Sequence, residues 1–222
     1  MKSVHLKSLN RKDGIIIMIL FKNNKASIVD NLLNVKNNEE LFRSFTELQN
    51  EITVDFSTKV IGITSISKDN MSAAFAKAFA QAYAMNKSNA LIIDANLYNP
   101  CLSKLLSHNT NDVESRNGEE LKAITVDRGV DAICLDQNVY PPEVYKAQVI
   151  QNIIKENENK YDHFIVLVPA INEHKEIVLL NDVLNAIVLI SQRNITKRKD
   201  IFEAISYCAE NKLPLAKTVV IK

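Results

Sequence analysis

From Lys59 to the end of the chain, short apolar runs alternate with stretches of helical period, and this alternation constrains the fold more than any other feature. Residues 60–64, 90–93, 130–135, 163–168, 186–190 and 217–221 read as strands. Most are apolar throughout rather than at every second position. Such strands must be covered on both faces, which is the condition of a parallel sheet between two helical layers. The intervening segments supply the layers. Residues 72–85 form an alanine-rich helix with Phe75, Phe79 and Tyr83 at four-residue spacing, 102–107 a short helix, and 196–211 a long one. After Pro141 and Pro142 a helix is predicted to run to about Asn157. The expectation is an α/β, three-layer fold with a mostly parallel central sheet flanked by helices.

Upstream, residues 1–37 read as a loosely tied extension, and 38–222 as the domain itself. The run 14–21 is either a strand or an apolar plug. Asn37 or Asn38 caps a helix whose first turn holds Glu39 and Glu40, with Leu41, Phe42, Phe45 and Leu48 on one apolar face. Residues 108–118 are polar and read as a mobile loop.

In a parallel sheet the functional loops follow the carboxyl ends of the strands. Five segments, in order, carry a resemblance there. KVIGITS (59–65) is similar to a first strand entering a Walker A loop. ALIIDANLYNPCLSKLL (90–106) is similar to a second Walker segment of the form D-x-D-x-R-x-P. YPPEV (140–144) resembles a P-x-E-L segment, and YDHFIVLVPA (161–170) resembles a Walker B strand. The helix with Glu40 and Arg43 resembles an E-x-x-R-x-x-R oligomerisation motif whose last arginine is Thr46 here. Together they resemble the bacterial tyrosine kinases of capsule and exopolysaccharide operons, in the MinD/ParA branch of P-loop NTPases.

The resemblance implies a P-loop NTPase-like fold and a nucleotide site with altered residues. A Walker A loop needs glycines, a lysine for the β- and γ-phosphates and a Ser/Thr for Mg²⁺. Aligned to that pattern, Asp69 and Met71 stand at glycine positions, Ser72 at the lysine and Ala73 at the Ser/Thr. Ser67 falls at the signature-lysine position of the MinD branch, one place from Lys68, which reads as an exposed loop lysine. In the second segment Asp94 remains, Asn96 replaces the second aspartate and Tyr98 the arginine. Leu167 stands at the Walker B aspartate. Asp94 reads as a cap of the following turn rather than a metal ligand. The chain carries four glycines where average usage of about 7% would give roughly fifteen, leaving little material for a phosphate cradle. No catalytic residue and no cofactor is therefore expected, and ATP with Mg²⁺ is expected to bind poorly.

Other constellations are thin. Cys101, Cys134 and Cys208 follow no C-x-x-C spacing, and His5, His108, His163 and His174 form no metal-binding pattern. The basic run RNITKRK (193–199) could contact phosphate or acidic lipid, or be a solvated first turn. A net charge of +1 gives no global attraction to nucleic acid. The longest apolar run, 15–21, falls short of the about 20 residues a bilayer span takes and has no cleavage site. The expected location is cytoplasmic, reaching the membrane only through a partner. The implied function is that of an inactive kinase-like scaffold or regulator in polysaccharide assembly. Its partner would be a kinase paralogue, a membrane adaptor's cytoplasmic tail or a second copy, met through Glu40 and Arg43. A divergent ATP-binding kinase or ATPase and a ParA/MinD-like positioning protein are the rival readings.

Overall fold

The structure is a computed structural model, and it describes residues 5–11, 14–20, 28–53, 59–66, 71–100, 102–107, 123–135, 140–146 and 148–221. A nine-stranded sheet runs through it: β1 (His5–Arg11), β2 (Gly14–Leu20), β3 (Val60–Ser65), β4 (Ala90–Asp94), β5 (Ile124–Asp127), β6 (Val130–Cys134), β7 (His163–Leu167), β8 (Ala186–Gln192) and β9 (Leu215–Ile221). Their order is β1-β2-β9-β8-β3-β7-β4-β6-β5. The seven strands from β2 to β6 in that order are parallel to their neighbours, and β1 and β5 close the two edges antiparallel.

The apolar strands divide their side chains between two cores with a period of two. Ile61, Ile63, Ile92, Ile165, Leu167, Val188 and Ile190 belong to one core. Val60, Leu91, Ile93, Phe164, Val166, Ile187 and Leu189 belong to the other. Gly62 is the one glycine in β3; a Cβ there would lie 2.9 Å from a Leu184 methyl, so a larger residue would require that side chain to shift.

Four helices pack on the first core: α1 (Ile28–Leu33), α2 (Glu39–Ile52), α3 (Met71–Met85) and the short α4 (Leu102–Ser107), through Leu102 and Leu106. Asn38 caps α2 by accepting the Leu41 N–H at 3.1 Å. Phe45 of α2 meets Phe75 and Phe79 of α3 edge-on at 5.1 and 6.1 Å, and the Gln49 amide donates to the Phe79 carbonyl at 2.8 Å. Enclosed by sheet and helices, α3 is buried from Met71 to Tyr83, so its alanines are the small surface that lets α1 and α2 approach. On the other face lie α5 (Pro141–Lys146), α6 (Val149–Asn157) and α7 (Arg198–Glu210), with a 3₁₀ segment, Glu176–Leu180.

Three expectations need correction. Residues 1–37 are not loosely tied where described: β2 pairs with β9, and Leu32 and Val35 are fully buried in the first core. The helix from Pro141 to Asn157 is two, because Gln148 sits in left-handed backbone at φ 59°, which a helix interior does not tolerate. Strand β5 was not anticipated, since Ile124–Asp127 is only half-buried; it turns into β6 through Gly129, whose φ of 78° suits glycine. The loop expected over 108–118 lies outside the described residues, as do Cys101 and His108.

Candidate functional site

The carboxyl ends of β3, β7 and β4 lie side by side. Leu167 is opposite Ile63 on one side and Asp94 on the other, so the three segments singled out in the sequence converge on one end of the sheet. Here α4 (Leu102–Ser107) follows the β4 loop. The Asp94 carboxylate is 2% exposed; one oxygen accepts the Asn96 N–H at 3.1 Å and the other the Leu102 N–H at 3.2 Å, at the start of α4. Burial nevertheless raises its pKa to about 6. The carboxylate is thus spent on shaping the loop.

Leu167 is 2% exposed and belongs to the first core, while its carbonyl accepts the Ala95 N–H at 2.9 Å. Met71, Ser72 and Ala73 form the first turn of α3 and are also buried. Ser67, Lys68 and Asp69 lie outside the described residues. Among the described residues no group of three or more His, Cys, Asp or Glu is placed to hold a metal ion.

Sequence reasoning missed how two loops at this end are joined. The Tyr98 ring stacks on His174, with centroids 3.6 Å apart and planes 12° from parallel. Its hydroxyl donates to Glu176 Oε1 at 2.6 Å, joining the β4 loop to the segment after β7. Burial and the Glu176 carboxylate push the Tyr98 hydroxyl up to about 12. Burial alone would raise Glu176, but the Tyr98 hydroxyl, backbone N–H groups and nearby His174 hold it below its ordinary value. Its second oxygen, Oε2, has no hydrogen-bond partner among the described residues. Tyr145 donates to the Ala95 carbonyl at 2.6 Å, and Thr64 to the Pro169 carbonyl at 2.7 Å. The tyrosines scattered in sequence therefore meet in part here. A small cavity among the described residues there, lined by Ser65, Asn96, Tyr98, Asn99, Ala170, Glu173 and His174, measures about 50 Å³. No single motif signalled this bridge, because Tyr98 and Glu176 are 78 residues apart.

The second candidate site, α2, stands away from the strand ends. Arg43 pairs with Glu39 at 3.5 Å, one turn back on the helix, and both side chains are largely exposed. The Thr46 hydroxyl donates to the Phe42 carbonyl at 3.1 Å and accepts from the Asn86 amide at 3.2 Å, tying α2 to the end of α3.

No sequence-family model matches this chain, and no curated protein does. Solved structures do. The chimerical protein CapA2B2 is 16% identical over 86% of this chain and 89% of its own, with a TM-score of 0.69. The kinase domain of Escherichia coli tyrosine kinase ETK is 16% identical over 96% of this chain and 84% of its own, at 0.66. The MinC:MinD cell division protein complex of Aquifex aeolicus is 18% identical over 73% and 68%, at 0.55. At these identities the likeness establishes the fold: that of bacterial tyrosine kinase domains and MinD/ParA ATPases.

Proposed function

We propose that this chain, with the fold of a bacterial tyrosine kinase domain, is a pseudokinase acting as a scaffold or regulator in capsular or exopolysaccharide biosynthesis. The observation that carries this reading is the residue set at the strand ends, where Leu167, at the Walker B position, is buried in the core and Tyr98 bridges two loops. Transfer of a phosphoryl group depends on cations and carboxylate-held metal around developing charge. Leu167 offers no such group, and Asp94 directs both oxygens to N–H groups of its own loop. A protein that positions others needs only the fold and a surface. The α2 face carrying Glu40 and Arg43 is the surface proposed for a kinase paralogue, a membrane adaptor's cytoplasmic tail or a second copy. The location proposed is the cytoplasmic side of the membrane. No helix among the described residues is long and apolar enough to cross one.

The rival reading is a divergent kinase or ATPase that still binds nucleotide. Calorimetric titration with Mg·ATP separates the two: the scaffold reading expects no saturable heat, and saturable binding would favour the enzyme. The ParA/MinD-like reading rests on the weaker of the fold likenesses.

A further inference from the structure

A patch at the β8–α7 junction is independent of the strand-end chemistry and of the scaffold reading. The chain leaves β8 through a turn in which Asn194 adopts φ 66° and the Ile195 and Thr196 N–H groups both point to the Gln192 carbonyl, at 3.3 and 2.8 Å. The Thr196 hydroxyl accepts the Gln192 N–H at 2.9 Å, and the Arg193 N–H donates to the Ile221 carbonyl at 2.8 Å, bracing the turn against β9. This braced turn holds Ile195 65% exposed. On α7, Phe202 is 45% exposed, with the Arg198 guanidinium 5.3 Å from its ring centre.

Four exposed cations lie close in sequence, Arg193, Lys197, Arg198 and Lys199, of which Arg198 and Lys199 are placed beside Phe202. Two carboxylates oppose them. Glu203 pairs with Lys199 at 3.3 Å, and Asp200 lies in the first turn of α7. Among the described residues, Arg193, Lys197 and Arg198 are in no salt bridge. A chain of net charge +1 thus concentrates positive charge around exposed apolar groups.

We infer that this patch docks directly on an anionic lipid bilayer, with Ile195 and Phe202 entering the headgroup boundary and the four cations facing lipid phosphates. Basic groups near an anionic leaflet and apolar side chains at its boundary act together in this way. Ile195 stands on a turn rather than in a groove, which suits a surface more than a peptide. The neighbouring groove of about 580 Å³ does include Lys199 and Phe202, but its lining carries both signs of charge and omits Ile195.

The test is co-sedimentation of the full chain with phosphatidylcholine vesicles, with or without phosphatidylglycerol, at low and high salt. Binding is expected only to the anionic vesicles, falling steeply with salt. Ile195→Ser should weaken it by about fivefold, and Lys197→Glu with Arg198→Glu should abolish it. All three positions are exposed, so melting temperatures should be unchanged, which separates lost docking from lost folding. Absence of binding, equal binding to neutral vesicles, or binding undiminished in an Ile195→Ser, Phe202→Ser double variant would overturn the inference. Capture by polyglutamate but not by anionic vesicles would overturn it too, assigning the patch to an acidic protein.

Discussion

The Tyr98 ring lies flat on His174 while its hydroxyl reaches Glu176, so one side chain fastens the loop after β4 to the segment after β7. Tyr98→Phe keeps the stack and removes the bond, leaving a carboxylate with one fewer donor. The expected cost is about 1–2 kcal/mol, as for hydrogen bonds to charged groups. A double-mutant cycle with Glu176→Gln, followed by urea denaturation, should return a coupling of about 1 kcal/mol. Additive losses would mean that the two groups do not act together.

Asp94 makes stability depend on pH with an unusual sign. Its folded pKa, raised by burial to about 6, exceeds the ordinary 3.8, so the folded state binds the proton more tightly. Stability therefore falls as pH rises from about 4 to about 6, and the penalty is fully present above that, on the order of 2–3 kcal/mol. The half-buried His163 is shifted downward by desolvation and works in the opposite direction on acidification. The difference between the wild type and Asp94→Asn isolates the carboxylate. On acidification from neutral pH to about pH 4, the wild type should gain stability relative to that variant. Parallel profiles would contradict the assignment.

Lys217 of β9 is 6% exposed and meets Glu51 of α2 at 2.9 Å. Removing one partner of a buried pair leaves a charge uncompensated, while replacing the buried one by an apolar side chain of similar volume can be neutral. Glu51→Ala should cost about 1–3 kcal/mol, discounted because Glu51 is partly exposed, and Lys217→Met should cost less. Thermal denaturation of both variants gives the order; the reverse order would contradict it.

The layered fold was legible because strands such as β4 and β8 are apolar on both faces, which only a sheet covered twice can use. Elements with little burial escaped: β5 is half-exposed, and the break at Gln148 is a backbone event with no turn residue to mark it. At the strand ends the sequence located Asp94 and Leu167, which lie on strands whose register follows from the apolar pattern. The Tyr98–Glu176 bridge was not readable, since it joins side chains on separate loops. On α2 the sequence left the cap at Asn37 or Asn38, and it is Asn38, whereas the Thr46–Asn86 bond depends on how α2 meets α3.

Arg43 and Glu39 are too exposed for their pair to matter to folding, so Arg43→Glu should shift stability by only a few tenths of a kcal/mol. Sedimentation equilibrium should show that the same change dissociates an assembly formed through α2 or removes binding of a kinase paralogue. A mass and affinity unchanged by the substitution would exclude that face as an interface.

The central claim is that the strand-end site holds no nucleotide, and thermal denaturation with increasing Mg·ATP and Mg·ADP tests it most directly. A ligand at a hundred times its dissociation constant stabilises the folded state by about 2.7 kcal/mol, a shift easily measured. The pseudokinase reading predicts an unchanged melting temperature at millimolar nucleotide. A saturable rise, lost in a variant that fills the cavity beside Tyr98, would contradict the account.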